Sequence, residues 1–293
     1  MSHVSHVQRP SWLLSAVTLT HLHINFALKM PSQILTRVII TITCSLLFLV
    51  NAIEDATAGV SMGTTIVAAK FDGGVVLASD SRTSVSTYVS NRYAAKINVL
   101  FDHGAMEGDA ACVCRSGSAA DTQHLIERVR EDLFRRQHSS FSLPQVSVKS
   151  AAFYMKHLMN RILEKENPNF SCALICAGYD SKLGEGVIYS ILPSGAFFDE
   201  SDVGVVTLGS GSVFVQAYLD NYYRPNMNRD EAISFLARAV ELAMARDGQS
   251  GGSANLCVID KSGCKLISDA TKILSSTGPA TKLNGFADAV KQQ

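Results

Sequence analysis

Gly63-Thr64-Thr65-Ile66-Val67-Ala68-Ala69-Lys70-Phe71-Asp72-Gly73-Gly74-Val75-Val76-Leu77-Ala78-Ser79-Asp80 is the stretch on which the reading of the fold turns. Residues 64–70 are mostly apolar or β-branched, as a strand requires, and 75–79 form its return. Phe71-Asp72-Gly73-Gly74 between them is a tight-turn signal. Working outward, further strands are expected at 96–101 and 111–115. After Gly117-Ser118 the period changes to that of a helix. Leu125, Val129 and Leu133 share one face, with Ser118 or Asp121 placed to cap it. Ala151, Met155, Leu158 and Ile162 mark a second helix, stopped by Asn167-Pro168-Asn169. Strands return at 172–178, 187–192, 196–198 and 203–208. Two helices follow, one after Gly209-Ser210-Gly211-Ser212. The other carries Asn228 as cap, Glu231 three residues on, and the stripe Ile233, Leu236, Val240 and Met244. Strands at 254–259 and 264–267, joined by an Asp260-Lys261-Ser262-Gly263 turn, close the pattern. Antiparallel hairpins with helices gathered in pairs predict an α+β, four-layer αββα sandwich: two antiparallel sheets between helix pairs. There is neither a βαβ alternation nor a glycine-rich phosphate loop.

Upstream of Gly63 the character differs. Residues 1–63 hold four of the eight histidines of this 293-residue chain and show no sustained strand or helix period. They contain one apolar run, 38–50, preceded by Arg37. It has the form of a secretory core with Val50-Asn51-Ala52 as a cleavage site, but is shorter than the about 20 residues a membrane span needs. It lies far from Met1 for a signal peptide, which a start at Met30 would cure; a propeptide or a mis-called upstream start is the favoured reading. The expectation is a leader over 1–63, removed on maturation, and a folded domain over 64–293. Apolar residues make up 47% of the chain, and 26 Lys and Arg balance 26 Asp and Glu. A large core is therefore available, and no global field calls for nucleic acid or an anionic membrane. The seven cysteines, at 44, 112, 114, 172, 176, 257 and 264, show no zinc-ligand spacing and mostly sit in apolar strands. They read as buried, reduced thiols of an intracellular protein.

The chemistry centres on Thr64. A threonine hydroxyl is a weak nucleophile until a base takes its proton, and the residue's own α-amine is close at hand. That amine exists only once the Gly63–Thr64 bond is cut, and its pKa of about 7.7–8.0 suits neutral pH. A glycine at 63 leaves the carbonyl open to attack by the Thr64 hydroxyl, although a lone Gly-Thr-Thr is equally a strand start. Asp80 ends the returning strand, which a hairpin places beside the start of the first. Lys96 opens the third strand. Paired with Asp80, its cation would lower the pKa of the Thr64 hydroxyl and amine; alone, such a pair is also an ordinary surface salt bridge. Gly117, at a strand-to-helix turn, offers a backbone N–H suited to an oxyanion, or is a plain turn glycine. Asp247 and Ser250 lie in a polar, glycine-containing loop closing a helix, where spacing alone assigns them nothing.

Gly63-Thr64-Thr65, Asp80-Ser81-Arg82, Lys96, Ser116-Gly117-Ser118, Gly209-Ser210-Gly211 and Arg246-Asp247-Gly248-Gln249-Ser250-Gly251-Gly252 occur in this order with compatible spacing. Together they resemble the β subunits of the eukaryotic 20S proteasome, N-terminal nucleophile hydrolases, from Gly63 to about Ile267. The resemblance implies a threonine endopeptidase with Thr64, Asp80 and Lys96 as catalytic group. It places Ser210, Asp247 and Ser250 around the terminal amine and makes the Gly117 N–H the oxyanion donor. Cys114-Arg115-Ser116-Gly117-Ser118-Ala119-Ala120-Asp121-Thr122-Gln123 looks most like the active beta-1, caspase-like type. By that likeness Arg115, Thr83, Ser84, Ala119 and Gln123 form the substrate pocket, and cleavage follows acidic residues. Self-cleavage at Gly63–Thr64, no metal or cofactor, polypeptide substrates and partnership with other β and α subunits in a four-ring particle are implied too. So are a role in ATP- and ubiquitin-dependent degradation and residence in cytoplasm and nucleus, with neither nucleic acid nor membrane as partner. The family also contains silent β subunits, so a structural ring subunit is the alternative; another N-terminal nucleophile hydrolase, such as an amidase acting on a small amide, and a membrane-tethered or secreted protein anchored by 38–50 are further rivals. Three features depart from the family: a longer loop at 102–109, Ala94 and Ala95 where bulkier or polar residues are usual, and the 63-residue leader.

Overall fold

Alternation decides which way each strand faces. In β1 (Ile66–Phe71) Ile66 and Ala68 point into one apolar layer while Val67, Ala69 and Phe71 point into another. The returning β2 (Gly74–Ser79) repeats the pattern, with Val75 and Leu77 on the first side and Val76 and Ala78 on the second. Both faces are buried, so both strands are apolar almost throughout. The computed structural model describes residues 63–85, 88–102, 108–138 and 146–272. The expected leader up to 62, with its apolar run, lies outside the described residues, as does the 103–107 part of the long loop.

After a small hairpin of β3 (Thr83–Val85) and β4 (Tyr88–Asn91) come β5 (Ile97–Asp102) and β6 (Ala110–Gly117). Helices α1 (Ala119–His138) and α2 (Val148–Lys165) follow, then β7 (Cys172–Asp180), β8 (Glu185–Ile191), β9 (Phe197–Asp199) and β10 (Val205–Leu208). Helices α3 (Ser212–Tyr222) and α4 (Arg229–Arg246) precede the last hairpin, β11 (Asn255–Asp260) and β12 (Gly263–Ile267). One five-stranded sheet runs β10-β1-β2-β11-β12 and the other β5-β6-β7-β8-β9, every neighbouring pair antiparallel. Their facing sides share a layer that includes Ile66, Leu77, Ile175, Ile188 and Ile259. Helices α1 and α2 cover the outside of the second sheet through Leu125, Val129, Met155 and Leu158. Helices α3 and α4 cover the first through Val215, Leu219, Leu236 and Val240. This is the αββα sandwich expected from the pattern.

Local signals account for the helix ends. Ser118 Oγ accepts the Asp121 N–H at 3.4 Å, and Ser147 Oγ accepts the Ser150 N–H at the start of α2. Asn228 and Glu231 form a reciprocal capping box on α4, a device worth about 1 kcal/mol. The β3–β4 hairpin is the element not foreseen. Its second strand is exposed at all four positions and carries no alternation to betray it. The described cysteines are free thiols, five of them buried. No helix among the described residues is long and apolar enough to cross a membrane.

Candidate active site

The β1–β2 register pairs Ile66 with Ser79, so Thr65 and Asp80 meet just beyond the end of the hairpin. The two exchange hydrogen bonds: Asp80 N–H donates to Thr65 O at 3.2 Å and Thr65 N–H to Asp80 Oδ1 at 3.0 Å. Asp80 Oδ2 accepts the Arg82 and Gly251 N–H groups at 3.1 and 3.0 Å. Three backbone donors thus orient a fully buried carboxylate, offsetting its desolvation. Lys96, immediately before β5, reaches it from the other sheet, with Nζ 2.7 Å from Asp80 Oδ1. The same Nζ donates to Thr64 Oγ1 at 3.1 Å and lies 3.4 Å from Gly63 O. The Thr64 hydroxyl in turn donates to Gly63 O at 2.7 Å. Burial pulls the Lys96 pKa below its ordinary value; Asp80 opposes that, while the positive charge of Arg115 adds to it. An ammonium with a depressed pKa next to a hydroxyl gives up and takes back a proton more readily near neutral pH.

On the other flank of Thr64, the turn between β10 and α3 presents Ser210. The Thr64 N–H donates to Ser210 Oγ at 3.1 Å, and Ser210 Oγ donates to Asp247 Oδ2 at 2.7 Å. Gly209 has φ of +94°, and a side-chain carbon there would overlap the Thr64 carbonyl. A glycine is therefore needed to bring Ser210 this close. Asp247 ends α4, and Ser250 Oγ donates to its Oδ2 at 2.6 Å. Burial works to raise the Asp247 pKa, but hydrogen bonds from Ser250, the Gln249 N–H and Ser210, with the Lys96 charge, hold it below the usual carboxylate range. Gly117 closes β6 with φ of +112°, and a side-chain carbon would overlap the Ser171 carbonyl. It lines, with Gly63, Thr64, Thr83, Lys96, Arg115 and Ala119, a cavity of about 10 Å³, room for roughly one water.

A larger cavity of about 390 Å³ adjoins it and shares Thr83, Arg115 and Ala119. Gln123, Ala94 and Ala95 also line it, with Glu127 and Arg130 from the next turns of α1. Arg115 is fixed in its lining: Nη2 donates to Ala95 O at 2.8 Å and Nη1 to Thr122 Oγ1 at 3.1 Å. Its buried Nε–H has no hydrogen-bond partner among the described residues. Ser84 lies outside both linings, its hydroxyl donating to the Gln249 carbonyl at 3.4 Å.

Thr64, Asp80, Lys96, Ser210, Asp247 and Ser250 are thus brought into one hydrogen-bonded group, with Gly117 at its edge. Residues assigned no role from the sequence complete it. Thr65 Oγ1 meets Ser250 Oγ at 2.8 Å. Gln249 packs so closely on Gly63 that a side-chain carbon at 63 would overlap it. Glu127 and Arg130 follow Gln123 at helical spacing, a signal that could have added them to the pocket. The hydroxyl, the ammonium and the oriented carboxylates suit nucleophilic attack on a carbonyl with proton transfer.

The chain has relatives among known proteins. Residues 60–259 match the family model described as "Proteasome subunit". Proteasome subunit beta type-6 of Dictyostelium discoideum is 37% identical over 205 residues, 70% of this chain and 87% of its own length. The probable proteasome subunit beta type-1 of Schizosaccharomyces pombe is 38% identical over 216 residues, 73% of this chain and 86% of its own. Proteasome subunit beta type-6 of Arabidopsis thaliana is 39% identical over 204 residues, 69% and 80% of the two chains.

Proposed function

The chain belongs to the proteasome subunit family, as a β-type member, and on that premise we propose that it is a catalytic threonine endopeptidase subunit. The observation that carries the proposal is the position of Lys96 Nζ, 2.7 Å from Asp80, 3.1 Å from the Thr64 hydroxyl and 3.4 Å from the Gly63 carbonyl oxygen. Maturation is the first turnover. The Thr64 oxygen attacks the Gly63 carbonyl carbon, Lys96 supports the developing oxyanion, and the chain shifts from nitrogen to oxygen. Water then releases the leader, residues 1–63, and leaves the amine of Thr64 free. In the mature enzyme that amine, held by Ser210 and through it by Asp247, accepts the hydroxyl proton as Thr64 attacks a peptide carbonyl. The Gly117 N–H stabilises the oxyanion, and water activated by the same amine hydrolyses the acyl-enzyme.

Arg115 supports a preference for cleavage after acidic residues. A guanidinium facing a cavity pairs with a carboxylate and repels Lys or Arg. Thr83, Ala119 and Gln123 share the lining; Ser84, outside it, is left with no part in the pocket. The subunit works within a multi-subunit proteasome particle, beside other β subunits and α subunits, on polypeptides delivered by ubiquitin- and ATP-dependent steps, in the cytoplasm and nucleus.

The test is the N-terminus of the chain in particles isolated from its own cell, read by peptide mass spectrometry. A chain beginning at Thr64 is expected, and Thr64→Ala should keep its leader and lose cleavage after acidic residues. Assembled wild-type particles in which residues before Thr64 remain attached would instead make the chain a silent structural subunit.

A further inference from the structure

The hydrolytic chemistry uses none of the cysteines, yet the fold gathers three of them. Cys112 on β6 points from the second sheet into the layer between the sheets, and Cys257 on β11 and Cys264 on β12 point into it from the first. The β11–β12 register pairs Cys257 with Leu266 and Ile259 with Cys264, making the two cysteines diagonal neighbours on one face, within side-chain reach. Cys112 Sγ lies 3.4 Å from Cys257 Sγ and 3.3 Å from Cys264 Sγ. All three sulfurs fall within 4.8 Å of one another. Cys112 and Cys257 are fully buried, whereas Cys264 is partly exposed on β12, the edge strand. A ligand can therefore enter at Cys264 and pass inward.

Two features select what would fit. A tetrahedral Zn(II) site with bonds of about 2.3 Å spreads its sulfurs to about 3.8 Å and takes a fourth ligand. The sulfur pairs here are closer, and the cluster offers three thiols. The charged group beside it is Asp102, whose Oδ2 accepts the Cys264 N–H at 3.1 Å, and the surrounding layer is apolar. Three thiolates around Zn(II) or Cu(I) leave net negative charge, which this setting penalises. Three thiolates around a trivalent centre leave none, and their pyramidal geometry keeps the sulfurs close.

We propose that Cys112, Cys257 and Cys264 form a trithiol site for a trivalent thiophilic centre, of the class of arsenous acid. Three As–O bonds break and three As–S bonds form. Each thiol proton leaves with a hydroxide as water, and no oxidation state changes. The site lies between the sheets and is independent of the proposed peptidase chemistry.

Sodium arsenite is the probe, added to the purified full chain under anaerobic conditions. One As(III) per chain is expected to survive gel filtration in excess monothiol, to leave with a competing dithiol, and to show three sulfur neighbours by X-ray absorption. Cys264→Ser, on the exposed edge, should melt like the parent and bind at least about 100-fold more weakly. Cys257→Ala should do the same, and Cys176→Ala, among the residues packed beneath α1 and α2, should bind like the parent. Arsenite that is not retained, or that is retained equally by Cys264→Ser and Cys257→Ala, would overturn the site. So would a preference for Zn(II) or Cu(I), or a disulfide between two of the three cysteines in the untreated chain.

Discussion

Lys96 carries two loads. Its ammonium neutralises Asp80 in a setting where their side chains are 5% and 0% exposed, and it touches the Thr64 hydroxyl, the proposed nucleophile. Lys96→Met should therefore leave the Asp80 carboxylate buried and unpaired, costing about 3–5 kcal/mol, and should slow peptide cleavage by about 10²–10⁴-fold. The measurements are thermal unfolding and single-turnover rates; a variant that unfolds like the parent and cleaves normally would remove Lys96 from the mechanism. Arg115 belongs at this scale too, because its Nη atoms are held while its buried Nε–H has no partner among the described residues. Arg115→Leu should shift cleavage from acidic toward apolar residues in a fluorogenic peptide panel, with the apolar substrates still turned over. An unchanged panel would take Arg115 out of the pocket. Part of this site is legible from residues alone. Thr64 and Asp80 sit 16 positions apart on one hairpin, and a turn signal between two apolar runs suffices to bring them together. Ser210 reaches the Thr64 nitrogen across 146 positions; no local pattern encodes that contact, and it was the resemblance that named the residue.

At the scale of elements, legibility follows locality. The capping box of α4 spans four residues and is written in the chain as Asn228 and Glu231. Asn228→Ala should cost about 1 kcal/mol and lower the melting temperature by about 2–4 °C, with catalysis unchanged in what remains folded. A loss of activity without a loss of stability would mean that α4 does more than carry Asp247 at its end. The β3–β4 hairpin was invisible for the opposite reason. Tyr88–Asn91 is exposed along its whole length, so burial imposed no period on its sequence. The cysteine cluster was hidden differently. Each thiol is an ordinary strand residue, and only the stacking of two sheets brings positions 112 and 264, 152 apart, into contact.

For the whole molecule, acidity is the natural probe. The Asp247 carboxyl titrates below its ordinary range in the folded chain because Ser250, Gln249 and Ser210 hydrogen-bond its charged form. A folded pKa below the unfolded value of about 3.9 contributes stability that is complete above that value and is lost as pH falls through the folded one. Unfolding midpoints measured from pH 7 downward should hold steady to about pH 5 and then decline. Asp247→Asn should flatten that decline; an acid limb of unchanged depth would assign it to other carboxylates. The two sheets also divide the groups of the candidate site. Thr64, Asp80, Ser210 and Asp247 belong to the β10-β1-β2-β11-β12 slab and its helices, whereas Lys96, Arg115 and Gly117 ride on the other. The Thr64 hydroxyl and the Lys96 ammonium, 3.1 Å apart, are therefore the facing marks of a vernier. On the proposed chemistry, a shear of about 1 Å between the slabs would separate the marks and slow turnover about 10²-fold while each slab's own strands and helices stay intact, so turnover would gauge the alignment of the interior more finely than any spectrum of secondary structure.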